Sequence, residues 1–577
     1  MTALRSLLSA CLATGLTFAA GPAPAQDAAI YSSMDRMHPV WAAEGMVASQ
    51  EALATEIGVE ILRQGGNAVD AASAVALALA VTLPRAGNLG GGGFMLVHDA
   101  ASGETVALDY REMAPAAATR DMYLDADGNA VAERSRFSGL AVGVPGTLAG
   151  IELALKRYGT MTLAEVIAPS IALAEGLTVT ADLAASLKGL APRLKKWPST
   201  AAIFYKADGS FYEPGDTLVQ ADLVASLKLI AEQGSDVFYK GEIGAKIAAA
   251  VQAAGGIMTE ADLANYRAKA RAPVAGSYRG YDVLSMPPPS SGGVHILQIL
   301  NVLEGYPIGF LGLNGADTIH LMAEAMKLAY ADRSQHLGDS DFVPVPVEGL
   351  ISKAYAAELR AGIDRFVALP SDEIAPGTPQ PYESDQTTHF SVVDRHGNAV
   401  ANTYTINFSY GSGLVAAGTG ILLNNEMDDF SAKPGVPNAY GLIGGEANAV
   451  EPGKRPLSSM SPTIVMKNGA PFLVTGSPGG SRIITTVLQI VMNVIDHELN
   501  IAEATAAPRI HHQWLPDQLR VEEGLSPDTL RLLRERGHKV VVQRAMGSTQ
   551  SIMIDPITGL RLGASDPRRA GALTAGH

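Results

Sequence analysis

The sequence contains only one cysteine, Cys11, among its 577 residues. Because Cys11 lies in an N-terminal segment that we expect to be removed, the mature protein should have no disulfide, no thiol nucleophile and no zinc–thiolate site. Basic residues are outnumbered by acidic ones, and the formal net charge is −15. With no basic patch along the chain, this charge argues against nucleic acid as a partner. No later apolar run predicts a membrane-spanning helix, so we expect no stable membrane insertion.

The N-terminal segment, residues 1–25, has the pattern of a secretory signal peptide. Arg5 supplies a positive charge, residues 7–20 form a short apolar stretch, and the small residues 23–25 resemble a cleavage site. These three parts in this order are typical of exported proteins. We therefore predict that the protein is exported and that the mature chain begins at Gln26.

Blocks of helical and strand-like periodicity alternate along the mature chain. Helices are predicted at 51–64, 70–81, 320–333, 483–497 and 527–536, and strands at 94–98, 105–110, 390–393 and 399–407. The helix at 70–81 is alanine-rich and almost wholly apolar, so we expect it to be buried on most faces. The block order fits helix layers around stacked, largely antiparallel sheets better than a doubly wound parallel sheet. The predicted fold class is α+β.

The run Thr-Thr-His-Phe-Ser-Val-Val at 387–393 follows a polar, proline-containing stretch. Threonine pairs in strands are commonly only strand formers. Alternatively, the hydroxyl of Thr387 attacks the carbonyl of Gln386, breaks the chain and frees a new N-terminus. Such a threonine combines a hydroxyl nucleophile with its own amine base, whose unperturbed pKa is about 7.7–8.0. A hairpin turn at 395–398 and the period of two place Thr405 and Asn407 on one face, toward Thr387.

Four further segments carry polar or glycine-rich patterns, each with two interpretations. The acidic segment 424–430 is a solvated turn or a pocket for a cation. The segment 456–462 is a serine-rich turn. The glycines in 475–482 form a tight turn before a helix or an oxyanion hole. Arg111, after the strand 105–110, is a surface ion-pair partner or a clamp for a carboxylate.

Taken together and in order, these segments resemble the γ-glutamyltransferase family, also called γ-glutamyl transpeptidase or glutathione hydrolase, and most closely its periplasmic bacterial members. The matching motifs lie at 87–95, 111–113, 143–147, 287–293, 386–394, 424–431, 455–463 and 476–481. The resemblance implies an N-terminal-nucleophile hydrolase fold, a four-layer αββα sandwich. It also implies autocatalytic cleavage between Gln386 and Thr387, which gives a large subunit, 26–386, and a small subunit, 387–577, intertwined in one domain. Location in the periplasm, or release to the medium, is expected.

The resemblance also assigns roles to individual residues. Thr387 is the nucleophile, the hydroxyl of Thr405 supports it, and the amides of Gly479 and Gly480 form the oxyanion hole. The substrate-binding residues are, for the α-carboxylate, Arg111, Ser458 and Ser459 and, for the α-amino group, Asn407, Glu426 and Asp429. These assignments agree with the chemistry, since an ammonium prefers carboxylate and amide oxygens while a carboxylate prefers guanidinium and hydroxyl groups. Close bacterial relatives often carry glutamine at position 426, so Glu426 changes the charge balance.

The segment 430–445 matches a lid loop of some family members, in which Tyr440 aligns with a tyrosine that shields the site from water. The alternative is a long surface loop. No cofactor and no metal are expected: His511 and His512 have no cysteine or carboxylate cluster beside them, and we expect them to pack locally. The glycines at 90–93 lack the Gly-Lys-Ser/Thr of a phosphate loop, so we expect them to permit close backbone packing.

The implied substrates are glutathione and other γ-glutamyl compounds, with water, amino acids or dipeptides as acyl acceptors. Two other functions stay open at this point. One is an acylase of the same superfamily that acts on glutaryl or cephalosporin side chains. The other is an exported protein that binds γ-glutamyl peptides without cleaving itself.

Overall fold

The computed structural model describes residues 35–374, 387–436 and 442–577. The predicted signal peptide, Gln386 and Tyr440 lie outside the described residues. None of the helices within those three ranges is both long and apolar enough to cross a membrane.

Two seven-stranded sheets, in which all neighbouring strands are antiparallel, form the centre of the molecule. Sheet I contains, in spatial order, Leu573–Gly576, Met46–Ser49, Thr388–Val393, Ala399–Thr405, Gly92–Asp99, Glu104–Tyr110 and Lys269–Arg271. Sheet II contains Val40–Ala42, Arg561–Ser565, Gln550–Ile554, Ala470–Thr475, Thr463–Lys467, Tyr281–Ser285 and Val274–Tyr278.

Alternate side chains of sheet I belong to two different cores, because successive residues of a strand point to opposite faces. In the strand Gly92–Asp99, Phe94 and Leu96 pack into the core shared with sheet II, whereas Met95 and Val97 pack into the core formed with the outer helices. Each sheet therefore has one face on the other sheet and one face on helices. The αββα sandwich is confirmed.

The helices divide between these two cores. On the sheet I side lie Ala52–Arg63, Ala68–Thr82, Thr147–Tyr158, Leu163–Glu175, Ala221–Gln233 and Glu242–Ala253. On the sheet II side lie Gly292–Leu303, Ala316–His336, Lys353–Ala361, Arg482–Ile495 and Ile501–Ala506. Two smaller units are attached: the helices Ala181–Gly189, Ala191–Leu194 and Pro198–Phe204, and a three-stranded sheet of Ile510–His511, Leu519–Glu522 and Val540–Gln543 beside Pro527–Glu535.

The predicted elements are present, with shifted ends. The helix predicted at 70–81 is Ala68–Thr82, and all of its residues are buried, as expected. The strand predicted at 399–407 ends at Thr405. That part of the prediction is wrong because Asn407 has a left-handed backbone conformation, with φ of 68°, which turns the chain out of the sheet.

Candidate active site

One polar cavity collects most of the residues that the sequence analysis selected. Its lining is Arg111, Arg333, Thr387, Thr405, Asn407, Glu426, Asp429, Leu442, Leu457, Ser458, Ser459, Met460, Gly480 and Ile483. Thr405 belongs to a strand of sheet I, Arg333 and Ile483 belong to helices of the sheet II side, and the other residues lie in the segments that connect strands and helices. The cavity therefore forms only when both halves of the sandwich are in place.

Thr387 lies at the start of a central strand of sheet I and is 7% exposed. The antiparallel pairing of Thr388 with Tyr404 brings Thr387 beside Thr405 on the neighbouring strand. The hydroxyl of Thr387 donates to Oγ1 of Thr405 at 3.4 Å, and the backbone amide of Asn407 donates to the same oxygen at 2.8 Å. Although the strand ends before Asn407, the turn still brings this residue to Thr405 and to the cavity.

Gly479 and Gly480 lie just before the helix Arg482–Ile495 and have φ values of 137° and 54°. Both values are in the region that glycine adopts without steric cost, and this allows the tight turn at the helix start. Gly480 lines the cavity with Thr387, whereas Gly479 does not. The structure thus places the glycine turn at the site and brings only Gly480 to the cavity wall.

A second glycine-rich segment, residues 90–93, allows the neighbouring chain at the end of the strand Ala399–Thr405 to approach closely. A Cβ atom on Gly91 would lie 2.1 Å from the backbone oxygen of Thr405, closer than any real contact. The side chain of Asn424 fixes the same region, since its Nδ2 donates to the backbone oxygens of Gly90 and Gly143, each at 2.8 Å. The predicted close backbone packing of the 90–93 glycines is confirmed.

Arg111 is fully buried and is surrounded by carboxylates. Its Nε donates to the backbone oxygen of Pro456 at 3.2 Å, its Nη1 donates to Glu426, and its Nη2 donates to Asp429 at 2.5 Å. A third carboxylate, Glu112, lies 3.7 Å from Nη1. All three guanidinium nitrogens of Arg111 therefore have partners within the protein.

Burial raises the pKa of all three carboxyl groups around Arg111, which opposes this change by its positive charge. The pKa of Glu112 rises to about 7, and the pKa values of Glu426 and Asp429 also rise. Oε2 of Glu426 and Oδ1 of Asp429 accept no hydrogen bond from the described residues.

Ser458 and Ser459 are oriented as hydrogen-bond donors. The backbone amide of Met460 donates to Oγ of Ser458 at 3.1 Å, and Nη2 of Arg333 donates to Oγ of Ser459 at 3.2 Å. Because each hydroxyl oxygen already accepts a hydrogen bond, each proton is available for an acceptor in the cavity. Two such donors on one wall can hydrogen-bond to an anion in the cavity.

Sequence reasoning missed Arg333. It lies in the helix Ala316–His336, which the sequence predicted at 320–333, and the polar residues His320, Glu324, Lys327 and Arg333 of this helix are all buried. Only the tertiary structure brings Arg333 next to Ser459, which is distant in sequence. No local signal in the sequence marks the contact.

His389 is buried within the strand Thr388–Val393 and stays neutral. Its ring nitrogens hydrogen-bond to the hydroxyls of Thr403 at 2.8 Å and Ser391 at 3.1 Å, and burial lowers its pKa to about 3. A group with this pKa holds no proton near neutral pH, and its nitrogens have structural partners. His389 therefore makes structural contacts within sheet I.

The other histidines divide into local contacts and one cluster. His511 contacts Thr485 at 2.8 Å, and His512 lies 3.4 Å from a carboxylate oxygen of Asp517. Each of these two histidines therefore has a local partner, and the carboxylate beside His512 is a single one. Among the described residues, His320, Glu324 and His538 bring potential metal ligands within 4.8 Å of one another, but Lys327 already pairs with Glu324 at 2.7 Å and supplies its positive charge.

A family model described as gamma-glutamyltranspeptidase matches residues 54–576. The chain belongs to this family. It is 59% identical over 579 aligned residues to the glutathione hydrolase proenzyme of Escherichia coli (strain K12), with 100% of this chain and 99% of the relative covered. The matched region therefore includes every residue that lines the cavity.

Two solved structures extend the similarity to the fold. The cephalosporin acylase of Bacillus halodurans superimposes with a TM-score of 0.83 at 32% identity, covering 95% of this chain and 98% of that one. The gamma-glutamyltranspeptidase of Helicobacter pylori is 49% identical, with a TM-score of 0.55, covering 56% of this chain and 93% of that one. The transpeptidase family thus shares this sandwich with an acylase, and the fold alone does not choose between the two activities.

Proposed function

We propose that this protein is a glutathione hydrolase and γ-glutamyltransferase that matures by cleaving its own chain before Thr387. The observation that carries the proposal is the combination, in one cavity, of the Thr387 hydroxyl with groups of both charge signs. A γ-glutamyl group bears a carboxylate and an ammonium on the same carbon, so its recognition requires hydrogen-bond donors at one end and carboxylates at the other. The proenzyme relative at 59% identity supports the same conclusion.

In this proposal the residues act as follows. The hydroxyl of Thr387 attacks the γ-amide carbon, and its own α-amine takes the hydroxyl proton. The amides of Gly479 and Gly480 stabilise the oxyanion, and Thr405 orients the nucleophile. The C–N bond breaks, the leaving amine of cysteinylglycine takes the proton, and a γ-glutamyl ester on Thr387 remains. Water then releases glutamate, or the amine of an amino acid or dipeptide takes the acyl group.

The substrate contacts follow from charge. The proposed contacts are Arg111, Ser458 and Ser459 for the α-carboxylate, and Asn407, Glu426 and Asp429 for the α-amino group. The donor orientation of the two serine hydroxyls supports the first set, and the unsatisfied oxygens of Glu426 and Asp429 support the second. For Tyr440, we propose the role of shielding the acyl-enzyme from water.

The proposed products of maturation are a large subunit, 26–386, and a small subunit, 387–577, which remain together as one enzyme. Both contribute strands to sheet I, and this supports a single intertwined domain. The signal-like sequence at 1–25 supports export to the periplasm.

The similarity to a cephalosporin acylase makes a glutaryl acylase the second candidate. A glutaryl group keeps the carboxylate but lacks the α-amine. We expect γ-glutamyl anilide to be hydrolysed at least roughly 100-fold faster, in kcat/KM, than glutaryl anilide, because an unpaired carboxylate pocket disfavours the amine-free group. Equal rates, or faster cleavage of the glutaryl anilide, would assign the protein to the acylases.

The replacement Glu426→Gln should flatten the acid side of the pH profile. Since the pKa of Glu426 is raised, this carboxyl group is neutral at acid pH and becomes charged as pH rises, which strengthens its attraction for the substrate ammonium. We expect log kcat/KM of the parent enzyme to rise more steeply with pH than that of the variant between about pH 5 and pH 8. The slopes should differ by up to about one log unit per pH unit, which corresponds to the titration of one additional proton.

Asp428→Asn is the matched control for this measurement. Asp428 is the buried acidic neighbour, but it hydrogen-bonds to Ser135 at 2.5 Å and does not line the cavity. Its replacement should leave the slope of the profile unchanged. A parent and a Glu426→Gln variant with superimposable profiles would show that Glu426 does not titrate during substrate binding.

A further inference from the structure

Arg333 is a buried cation without a carboxylate partner. It is 5% exposed, and no carboxylate oxygen of the described residues lies within 4.0 Å of its guanidinium group. Its Nε donates to Oγ of Ser291 at 2.9 Å, and its Nη2 donates to Oγ of Ser459 at 3.2 Å. Of the five N–H groups of a guanidinium, only two therefore meet a protein acceptor.

Its environment differs sharply from that of Arg111, although both side chains line the same cavity. Arg111 has partners on all three nitrogens, and its positive charge is compensated by neighbouring carboxylates. Among the described residues, Arg333 donates hydrogen bonds only to neutral hydroxyls. Burial lowers its pKa to about 10, the nearby Tyr330 and Asp429 oppose this change, and the positive charge of Arg111 adds to it. Arg333 is thus still protonated at neutral pH, and no carboxylate of the described residues forms a close ion pair with it.

Burying a positive charge without a close ion-pair partner costs free energy, and an anion that binds in the cavity would supply that partner. The position of Arg333 behind Ser459 indicates where such an anion lies. The hydrogen bond from Nη2 occupies the oxygen of Ser459 and leaves its proton for an acceptor, and Ser458 presents its proton beside it. Two hydroxyl donors with a cation behind them match one carboxylate.

We propose that Arg333 positions Ser459 and supplies the positive charge that selects acyl groups bearing an α-carboxylate. This inference rests on the proposed γ-glutamyl specificity. It gives the two arginines complementary roles at the same end of the substrate: Arg111 contacts the α-carboxylate directly, while Arg333 orients Ser459 and adds positive charge behind it. Arg333 is a positioning residue for Ser459, and the selectivity it provides concerns the carboxylate alone.

The test compares two competitive inhibitors that each keep one end of the γ-glutamyl group. Glutaramate keeps the carboxylate and lacks the amine, whereas 4-aminobutyramide keeps the amine and lacks the carboxylate. Their Ki values are measured against γ-glutamyl anilide for the parent enzyme and for Arg333→Gln, which removes the charge and retains a donor. We expect Ki for glutaramate to rise roughly 10- to 100-fold, since a hydrogen-bonded charge is lost, and Ki for 4-aminobutyramide to change less than about twofold.

Kinetic constants and a conservative variant exclude a merely structural role. For γ-glutamyl anilide, Arg333→Gln should raise KM more than it lowers kcat, and Arg333→Lys should recover part of the loss because it restores the charge. Equal changes in both Ki values, or no recovery by lysine, would overturn the proposal. This failure is distinct from failure of the proposed function, in which the parent enzyme itself would not cleave γ-glutamyl anilide.

A variant that remains a single chain cannot report on catalysis, so Ser291→Ala provides a second measurement. This change removes the acceptor that anchors Nε of Arg333 and keeps the positive charge; it also removes the hydrogen bond that the Ser291 hydroxyl donates to the backbone oxygen of Ser458 at 2.8 Å, which the backbone amide of Ser291 still contacts at 2.9 Å. We expect a smaller loss in the same direction, roughly 3- to 10-fold in Ki for glutaramate, with Ki for 4-aminobutyramide unchanged. If the ratio of the two Ki values stays at the parent value in both Ser291→Ala and Arg333→Gln, Arg333 does not act on the carboxylate.

Discussion

The replacement Thr387→Ala should give one uncleaved polypeptide with no measurable hydrolysis of γ-glutamyl anilide. The same hydroxyl serves chain cleavage and acyl transfer, so its loss removes the nucleophile from both reactions. We expect activity to fall by at least roughly 1,000-fold, the effect typical of losing a catalytic nucleophile. Intact mass under denaturing conditions, followed by turnover of γ-glutamyl anilide, measures both outcomes.

Thr388→Val is the matched control. Thr388 is the next residue, it is fully buried, and its hydroxyl has no hydrogen-bond partner among the described residues. Replacing an unsatisfied buried hydroxyl by a methyl group of similar shape is close to neutral or stabilising. Thr388→Val should therefore mature and remain active. Turnover by purified Thr387→Ala would contradict the assignment, and a single persistent chain in the parent protein would favour the exported binding protein.

The replacement Arg111→Gln should have the second largest effect, because it leaves buried carboxylates without their cation. Glu426 and Asp429 would face each other and Glu112 with no compensating charge, and their pKa values would rise further. Removing one partner of a buried ion pair destabilises proteins by about 3–5 kcal/mol. We expect a loss of this size in the free energy of unfolding and a fall of roughly 100-fold or more in kcat/KM.

Denaturant unfolding and kinetics on correctly processed protein measure these effects. Arg136→Gln is a suitable control, since it removes an arginine that lies 3.3 Å from Asp428 but outside the cavity, with 24% of its side chain exposed. Arg136→Gln should lower the free energy of unfolding by at most about 1 kcal/mol. Comparable losses in both variants would mean that the network around Arg111 has no special importance.

Periodicity was sufficient to predict the layers of the fold. The helix Ala68–Thr82 could be predicted as buried because nearly every residue is apolar, and the central hairpin because two alternating strands flank a Gly-Asn turn. The ends were less accurate: the strand that contains Thr405 was extended to Asn407, since a left-handed residue has no unique sequence signal. Sequence propensity describes the average preference of residues for helix or strand, whereas tertiary contacts determine where each helix or strand ends.

The site was predictable where the family motifs were long, and unpredictable where a residue acts through distant contacts. Thr387, Glu426 and Ser459 lie in such motifs, and the structure brings them to one cavity. Arg333 lies in a predicted helix but in none of these motifs, and the histidine cluster with Lys327 lies mostly in the same helix. Both depend on burial against segments far away in sequence, which a periodic pattern does not encode.

Sheet I also determines how the two proposed subunits are held together. The strand Thr388–Val393 hydrogen-bonds on one side to Met46–Ser49, from before the proposed cut, and on the other to Ala399–Thr405, from after it. The two chains therefore separate only by unfolding. Cleavage turns a unimolecular folding reaction into a bimolecular one, so the melting temperature of the mature form should depend on protein concentration while that of the precursor does not.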